Sequence, residues 1–164
     1  MTAKVSVDAP PVAFDLEVET LIIGAGACGL IAALSAHEAG QSVLVIEADA
    51  VPSGSTALSA GLIPAAGTRI QRRAGIDDSA EQFARDIQAK AHGENDQALV
   101  DLLAGGAAEV IDWLSDTHGL PFSVVNDFDY PGHSARRMHG LPSRSGAELI
   151  DALHVSEGFP LFLL

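Results

Sequence analysis

The chain opens its regular pattern at Glu17–Ile23, EVETLII, which ends in an apolar run without polar alternation. That is the signature of a strand buried on both faces of a parallel sheet. Over Ala27–Ala39 the apolar positions shift to helical spacing, with Leu30, Ala33 and Leu34 available to pack on a sheet, and Gly40 stands where a C-terminal cap belongs. A second run of apolar β-formers, SVLVIE, follows at Ser42–Glu47. Strand, helix and strand in immediate succession make a βαβ unit, whose crossover is right-handed.

Beyond this unit the pattern weakens and then returns. VPSGSTALSAGLIPAAGT, from Val51 to Thr68, holds neither period and reads as a long functional loop. Ser79 and Gln82 stand in capping-box register ahead of a helix that sets Phe83 and Ile87 on one face. Leu99, Leu102, Leu103, Val110, Trp113 and Leu114 recur at helical spacing in a second helix closed by Gly119, with Trp113 at a core position. Gly105 and Gly106 inside it cost roughly 1 kcal/mol each relative to Ala, so they kink the helix or permit close packing. After the apolar LPFSVV comes a polar loop, NDFDYPGHSARRMHGLPSRSG, where basic residues concentrate. Ser145 and Glu148 form another capping box, opening a helix through Leu149, Ile150 and Leu153, and GFPLFLL reads as a strand cut off as it starts. Residues 1–16, with DAPPVAFD and no period, are a lead-in, and residues 17–164 form one domain.

Composition narrows the partners. With 48% hydrophobic residues and 16 Gly in 164 residues, the chain can build a core. Its 22 acidic against 9 basic residues give a net charge of -13, which repels nucleic acids and anionic membranes. The one cysteine, Cys28, forbids an internal disulfide, and no Cys/His spacing suits a structural zinc, so no metal is expected. A reducing cytoplasm, which suits a chain with one cysteine, is the expected location; no apolar run reaches the roughly 18 to 20 residues of a membrane span, and no targeting signal is visible.

Between the first strand and helix lies LIIGAGACGL, with Gly24, Gly26 and Gly29 at G-x-G-x-x-G spacing. A pyrophosphate at a helix N-terminus needs close approach of the backbone, which side chains block. Gly24 permits the tight turn through Ala25, Gly26 lets the chain reach the phosphates, and Gly29 lets helix and strand pack closely. The acid that completes the fingerprint is Glu47, 23 residues after Gly24 at the end of the second strand, placed to accept from ribose hydroxyls and to repel a 2′-phosphate. The whole context reads as dinucleotide binding and leaves FAD and NAD unseparated.

LIIGAGACGLIAALSAHEAGQSVLVIEA followed by GSTALSAGLIPAAGT resembles the FAD-binding start of the fumarate reductase/succinate dehydrogenase flavoprotein superfamily, which includes soluble fumarate reductases and 3-ketosteroid dehydrogenases. GIDDSAEQFARDI, AAEVIDWL and GHSARRMHG follow the same family pattern, so the resemblance covers about Glu17 to Leu153. It implies a Rossmann-like, three-layer α/β FAD/NAD(P)-binding domain, apparently truncated before the capping domain and C-terminal return. It implies that Gly24, Ala25, Gly26 and Gly29 hold the FAD pyrophosphate, that Glu47 holds the adenosine ribose, and that Ser55, Thr56, Ser59, Ala60 and Gly61 run toward the isoalloxazine. Hydroxyls, N–H groups and small side chains suit that path.

The basic cluster His133, Arg136, Arg137 and His139 aligns with a family segment near the flavin, against the plainer reading of a solvated loop. Cys28 at a helix N-terminus reads as a small buried helix residue, and His37, His92, His118 and His154 show no ligand spacing. The expected function is the FAD-binding part of an oxidoreductase that moves hydride between flavin and a C–C bond of a carboxylate or ketosteroid-like substrate. Catalytic residues are unassigned, the chain alone is expected to be inactive, and self-association through the C-terminal strand is expected. The alternatives are a non-catalytic nucleotide-binding module and an NAD-dependent dehydrogenase fragment.

Overall fold

The computed structural model describes residues 16–155 and 161–163. The lead-in before Leu16 lies outside them. In chain order the elements are β1 (Thr20–Ile23), α1 (Ala27–Glu38), β2 (Val43–Glu47), β3 (Ile63–Pro64), α2 (Arg69–Arg73), α3 (Ala80–Lys90), α4 (Gln97–Asp116), β4 (Ser123–Val124), β5 (Met138–Gly140), α5 (Gly146–Val155) and β6 (Leu161–Leu163).

The expected βαβ unit forms. β1 and β2 pair in parallel with Thr20 opposite Val43 and Ile23 opposite Ile46, and β6 joins the other edge of β2, giving the order β1-β2-β6. The terminal strand is thus a third parallel strand on β2. Leu30, Ala33 and Leu34 of α1 bury against Val43 and Val45, and full burial of each leucine stabilises by about 1.5–3 kcal/mol. Gly40 has φ +80 and its N–H donates to the carbonyl of His37, closing the helix as its position suggested. Cys28, expected to be buried, lies on the exposed side of α1, away from the face that packs through Leu30, Ala33 and Leu34. The sheet is not buried on both faces at β1, however. Leu21 is 54% and Ile23 81% exposed, because among the described residues no element covers their side of the strand.

A second, antiparallel sheet, β3-β5-β4, joins the same core, which runs on through Ala65, Leu120, Phe122 and Leu141 to Leu149, Ile150 and Leu153 of α5. Two of its strands lie inside stretches that read as loops. Ile63–Pro64 sits in the Ser/Gly-rich segment, and Met138–Gly140 in the polar basic one, where Pro, Gly and charge hide such short strands from a period-2 search. α2 was equally invisible, being five residues, RIQRR, with no apolar period. Its start is built by a reciprocal capping box, in which the Thr68 hydroxyl accepts from Gln71 N–H while the Gln71 side chain accepts from Thr68 N–H. Ser79 caps α3 by accepting from Gln82 N–H, but the Gln82 side chain does not return the bond and donates to Ser134 instead.

α4 corrects the sequence pattern most. Asp96 caps it, and its buried residues are Val100, Ala104, Ile111 and Leu114. Leu99, Leu102 and Leu103 are 60–70% exposed and Val110 faces solvent beside them. The helix therefore carries two apolar stripes, and the more hydrophobic of them is the outer one. Gly105 and Gly106 neither break the helix nor admit a neighbour, since a Cβ on either would meet nothing within 4 Å. Trp113 is half-buried against the core and donates its Nε1–H to the Glu38 carboxylate.

Candidate cofactor site

The turn between β1 and α1 has the geometry that the three glycines require. Gly24 adopts φ +105 with its N–H donating to the carbonyl of Ile46, so the chain turns at the carboxyl ends of both strands. At Gly29 a Cβ would lie 2.0 Å from the Gly24 carbonyl oxygen and 3.2 Å from Ile22 Cγ2, so α1 packs on β1 at a distance only glycine allows. Gly26, the N-cap, offers α1 no side-chain acceptor, and its Cβ would meet only Thr56 Oγ1, at 3.7 Å. The third glycine is demanded by packing within the protein, and the second is not. Gly26 lines an open cleft at the N-terminus of α1, the kind of place that attracts an anion.

Glu47 is tied to this turn directly. Its Oε2 accepts from Ala25 N–H at 2.7 Å, and its Oε1 accepts from Ala48 N–H at 2.8 Å and Asp49 N–H at 3.1 Å. The bond from Ala25, then that from Asp49, holds the carboxyl below the usual carboxylate range. A carboxylate has about four acceptor positions, so one remains for a ribose hydroxyl. Ala25 is thus placed in the site through its N–H, its side chain being wholly buried. Thr56 completes the approach, its hydroxyl accepting from Ala27 N–H at 3.2 Å in the first turn of α1.

Gly26, Glu47, Ser55 and Thr56 line one cleft, together with Asp49, Pro52, Ser53, Gly54 and Ile150. Sequence reading missed Asp49, Ser53 and Ile150. Asp49 and Ser53, joined by a 2.6 Å hydrogen bond, carry no motif, and Ile150 arrives from α5, about a hundred residues away in the chain. Ser59, Ala60 and Gly61 do not line this cleft; they continue the same segment toward α5. A larger depression between the end of α4 and α5, around His118, Gly119, Ser143, Glu148 and Asp151, presents two carboxylates, which do not suit a pyrophosphate. The residues of the smaller cleft fit a dinucleotide: a helix N-terminus whose N-cap, Gly26, carries no side chain, for the phosphates, and an acid for the ribose.

The match to known proteins follows this geometry. A family model described as FAD binding domain covers residues 19–156. The chain belongs to this family. It is 33% identical over 127 residues to a urocanate reductase of Eggerthella lenta, covering 77% of this chain and 21% of that protein. A probable fumarate reductase of Shewanella frigidimarina is 32% identical over 135 residues, 82% of this chain and 23% of the relative. Among solved structures, the open conformation of a flavocytochrome c3 fumarate reductase superposes with a TM-score of 0.76 at 30% identity, over 89% of this chain and 26% of that one. The chain therefore spans about a quarter of the length of these three relatives. It is the Rossmann-like FAD-binding region of the fumarate reductase-like flavoproteins, its cofactor is FAD, and its relatives are FAD-dependent oxidoreductases.

The basic cluster does not assemble into one site, and two of its members are not solvated. Arg137 and His139 are fully buried. Arg137 pairs with Asp78 through Nε at 2.9 Å and Nη2 at 3.0 Å, reaches Asp86 at 2.6 Å, and lies 4.7 Å from the centre of the Phe83 ring. Burial raises the Asp86 carboxyl, and bonds from Ser134 and Arg137 outweigh it, so the net shift is downward. Arg136 points outward to Asp129, and His133 stands in a row of rings between Phe83 and Tyr130. Among the described residues no group of acids, histidines and cysteines could hold a metal, and no helix is long and apolar enough to cross a membrane.

His139 supplies a pH dependence. Its Nδ1 contacts the Arg137 carbonyl at 2.9 Å and so carries the proton, leaving Nε2 to accept from the Thr68 hydroxyl at 2.9 Å. Burial lowers its pKa below 6.5. Above 6.5 both folded and unfolded chains hold it neutral, whereas below that the unfolded chain takes up the proton first, so stability falls with acidification. One such proton contributes at most about 1.4 kcal/mol per pH unit. We expect the melting temperature to drop between pH 7.5 and 5.5 and the slope to flatten in His139→Gln; a flat wild-type profile would contradict this placement.

Glu47 gives a second expectation. Glu47→Lys places a cation where a hydroxyl must be accepted and removes the acceptor of Ala25 N–H, so FAD affinity should fall at least about tenfold, the weight of one charge-assisted hydrogen bond. Equilibrium dialysis against FAD measures it. Unchanged affinity would remove Glu47 from the ribose position.

Proposed function

We propose that Gly24, Ala25, Gly26, Gly29, Glu47, Ser55 and Thr56 form the FAD-binding cleft of this chain, with Ser59, Ala60 and Gly61 continuing the path toward the isoalloxazine. The observation that carries this reading is the convergence, on one cleft, of the N-terminus of α1, the Glu47 carboxylate and the Ser55–Thr56 segment. The whole protein's reaction in this reading is hydride transfer between flavin and the C–C double bond of an unsaturated carboxylate. The names of the two relatives, a urocanate reductase and a fumarate reductase, support the carboxylate over a ketosteroid.

When bound, FAD supplies the hydride chemistry. The chain's own residues do the rest of the work assigned here. The first turn of α1 holds the pyrophosphate charge, Glu47 fixes the ribose, and Thr56 orients the entry to that turn. The titratable groups lining the cleft are Glu47 and Asp49, both acids beside the proposed ribose. That favours a binding role for this region, with the proton donor supplied elsewhere in the whole protein, so the isolated chain binds FAD without turnover.

The same reading includes self-association of the isolated chain through β6, whose outer edge pairs with no strand among the described residues. A cytoplasmic location rests on the single cysteine alone. The test is the visible spectrum of the purified chain after incubation with FAD, followed by size-exclusion chromatography and an assay with reduced dye and unsaturated carboxylates. Retained flavin without turnover is the expected result. A colourless chain that binds NAD would overturn it.

A further inference from the structure

We propose that the first turn of α5 belongs to the cofactor site, and that Gly146 is a positioning residue that sets FAD affinity by holding the 54–61 segment against α1. This rests on the FAD cleft proposed above. It assigns a role to a residue about ninety positions downstream of that segment and outside the glycine fingerprint.

The argument starts from what a side chain at 146 would meet. A Cβ there would lie 1.6 Å from the Thr56 carbonyl oxygen and 2.7 Å from Ser59 Oγ. No conformational demand explains the glycine, because Gly146 is not among the residues of positive φ. The demand is for approach: α5 meets the segment backbone to backbone. The opposite side repeats it, since a Cβ on Gly61 would lie 2.6 Å from the Ser145 carbonyl oxygen and 3.0 Å from Gly146 N. Two glycines therefore face each other across one seam.

Hydrogen bonds lock the seam and carry it to the cleft. Gly146 N–H donates to the Ser59 carbonyl at 2.9 Å. The Ser59 hydroxyl donates to the Thr56 carbonyl at 2.7 Å and accepts from Gly61 N–H at 3.0 Å. Thr56 then accepts from Ala27 N–H, in the first turn of α1. One turn further along α5, Ile150 supplies part of the cleft wall. Displacing α5 by one methyl group must move Thr56, whose carbonyl is the nearest atom, and Thr56 is the residue that touches the anion-binding end of α1. Close-packed backbone has no soft rotamer to absorb the clash.

The experiment uses the full 164-residue chain, FAD fluorescence titration, and amide hydrogen exchange on cofactor-free protein. Gly146→Ala is expected to bind FAD at least about tenfold more weakly and to leave the bound flavin less quenched. It should also speed exchange of Gly61 N–H and of the N–H at position 146 while α3 and α4 keep wild-type protection. Gly105→Ala, on the open surface of α4, is the control and should change none of these. Should Gly146→Ala fail to fold, Ser59→Ala adds no bulk, removes two bonds of the seam, and should weaken FAD binding with faster Gly61 exchange. Wild-type FAD affinity in folded Gly146→Ala, or in Ser59→Ala, overturns the inference. So does an affinity loss matched by equal loss of protection in α3 and α4, which a merely structural role would give. Failure of the wild-type chain to bind FAD would instead defeat the cofactor reading, while the exchange measurements without FAD still decide whether Gly146 positions the segment.

Discussion

Arg137→Ala should cost about 3–5 kcal/mol of folding stability, the usual consequence of removing one partner from a buried ion pair. The side chains of Arg137 and Asp78 are both fully buried, and that of Asp86 is 16% exposed. Without the guanidinium, Asp78 keeps the Gln71 side chain and Ser79 N–H as donors but has no compensating charge. The lost bonds run from the residue just before β5 to the segment ahead of α3 and to α3 itself, so the second sheet and the helix separate together. Domains are stable by roughly 5–15 kcal/mol, so much of the reserve would be spent. Urea denaturation of wild type and variant measures it. Arg137→Lys should recover little, because a point charge cannot make the two parallel bonds to Asp78 and the third to Asp86. A change below about 1 kcal/mol would mean that Asp78 and Asp86 find other partners.

This prediction inverts the sequence reading of the same residue, and the reason is physical. In GHSARRMHG two arginines and two histidines stand close together, and composition treats them alike. What separates them is the alternation of β5 and the stretch before it, which turns Arg137 inward to Asp78 and leaves Arg136 with Asp129. Asp78 and Asp86 are more than fifty residues away, and no local pattern announces them as partners. The βαβ unit was legible because its information is local: apolar runs, a helix period and three glycines within one stretch. Glu47 was found because its distance from the turn is part of that unit. Ile150 and Gly146 were not, since the contact between α5 and the Ser/Gly segment is set by the approach of two distant backbones. The α4 stripe misled for a related reason. A helix period places residues on a face but does not say which of two apolar faces is covered, and here the small residues Ala104 and Ala107 pack inward.

The second large effect comes from treating the glycines of the turn as different. Gly29→Ala should disrupt folding of the βαβ unit, because its Cβ would stand 2.0 Å from the Gly24 carbonyl oxygen, a backbone atom that cannot rotate away. α1 would have to lift from β1, exposing Leu30 and Leu34. Gly26→Val should leave the fold intact. Its φ of -76 suits any residue, and its Cβ would meet Thr56 Oγ1 at an ordinary 3.7 Å. What the valine fills is the approach to the helix N-terminus, so FAD affinity should fall about a hundredfold or more, the equivalent of roughly 2.8 kcal/mol. Circular dichroism and FAD titration on both variants separate the two outcomes. Gly26→Val with normal secondary structure and no flavin, beside Gly29→Ala with neither, is the pattern that a phosphate cradle requires. If Gly26→Val binds FAD like wild type, the space above α1 holds no phosphate, and the turn serves only to pack helix on strand.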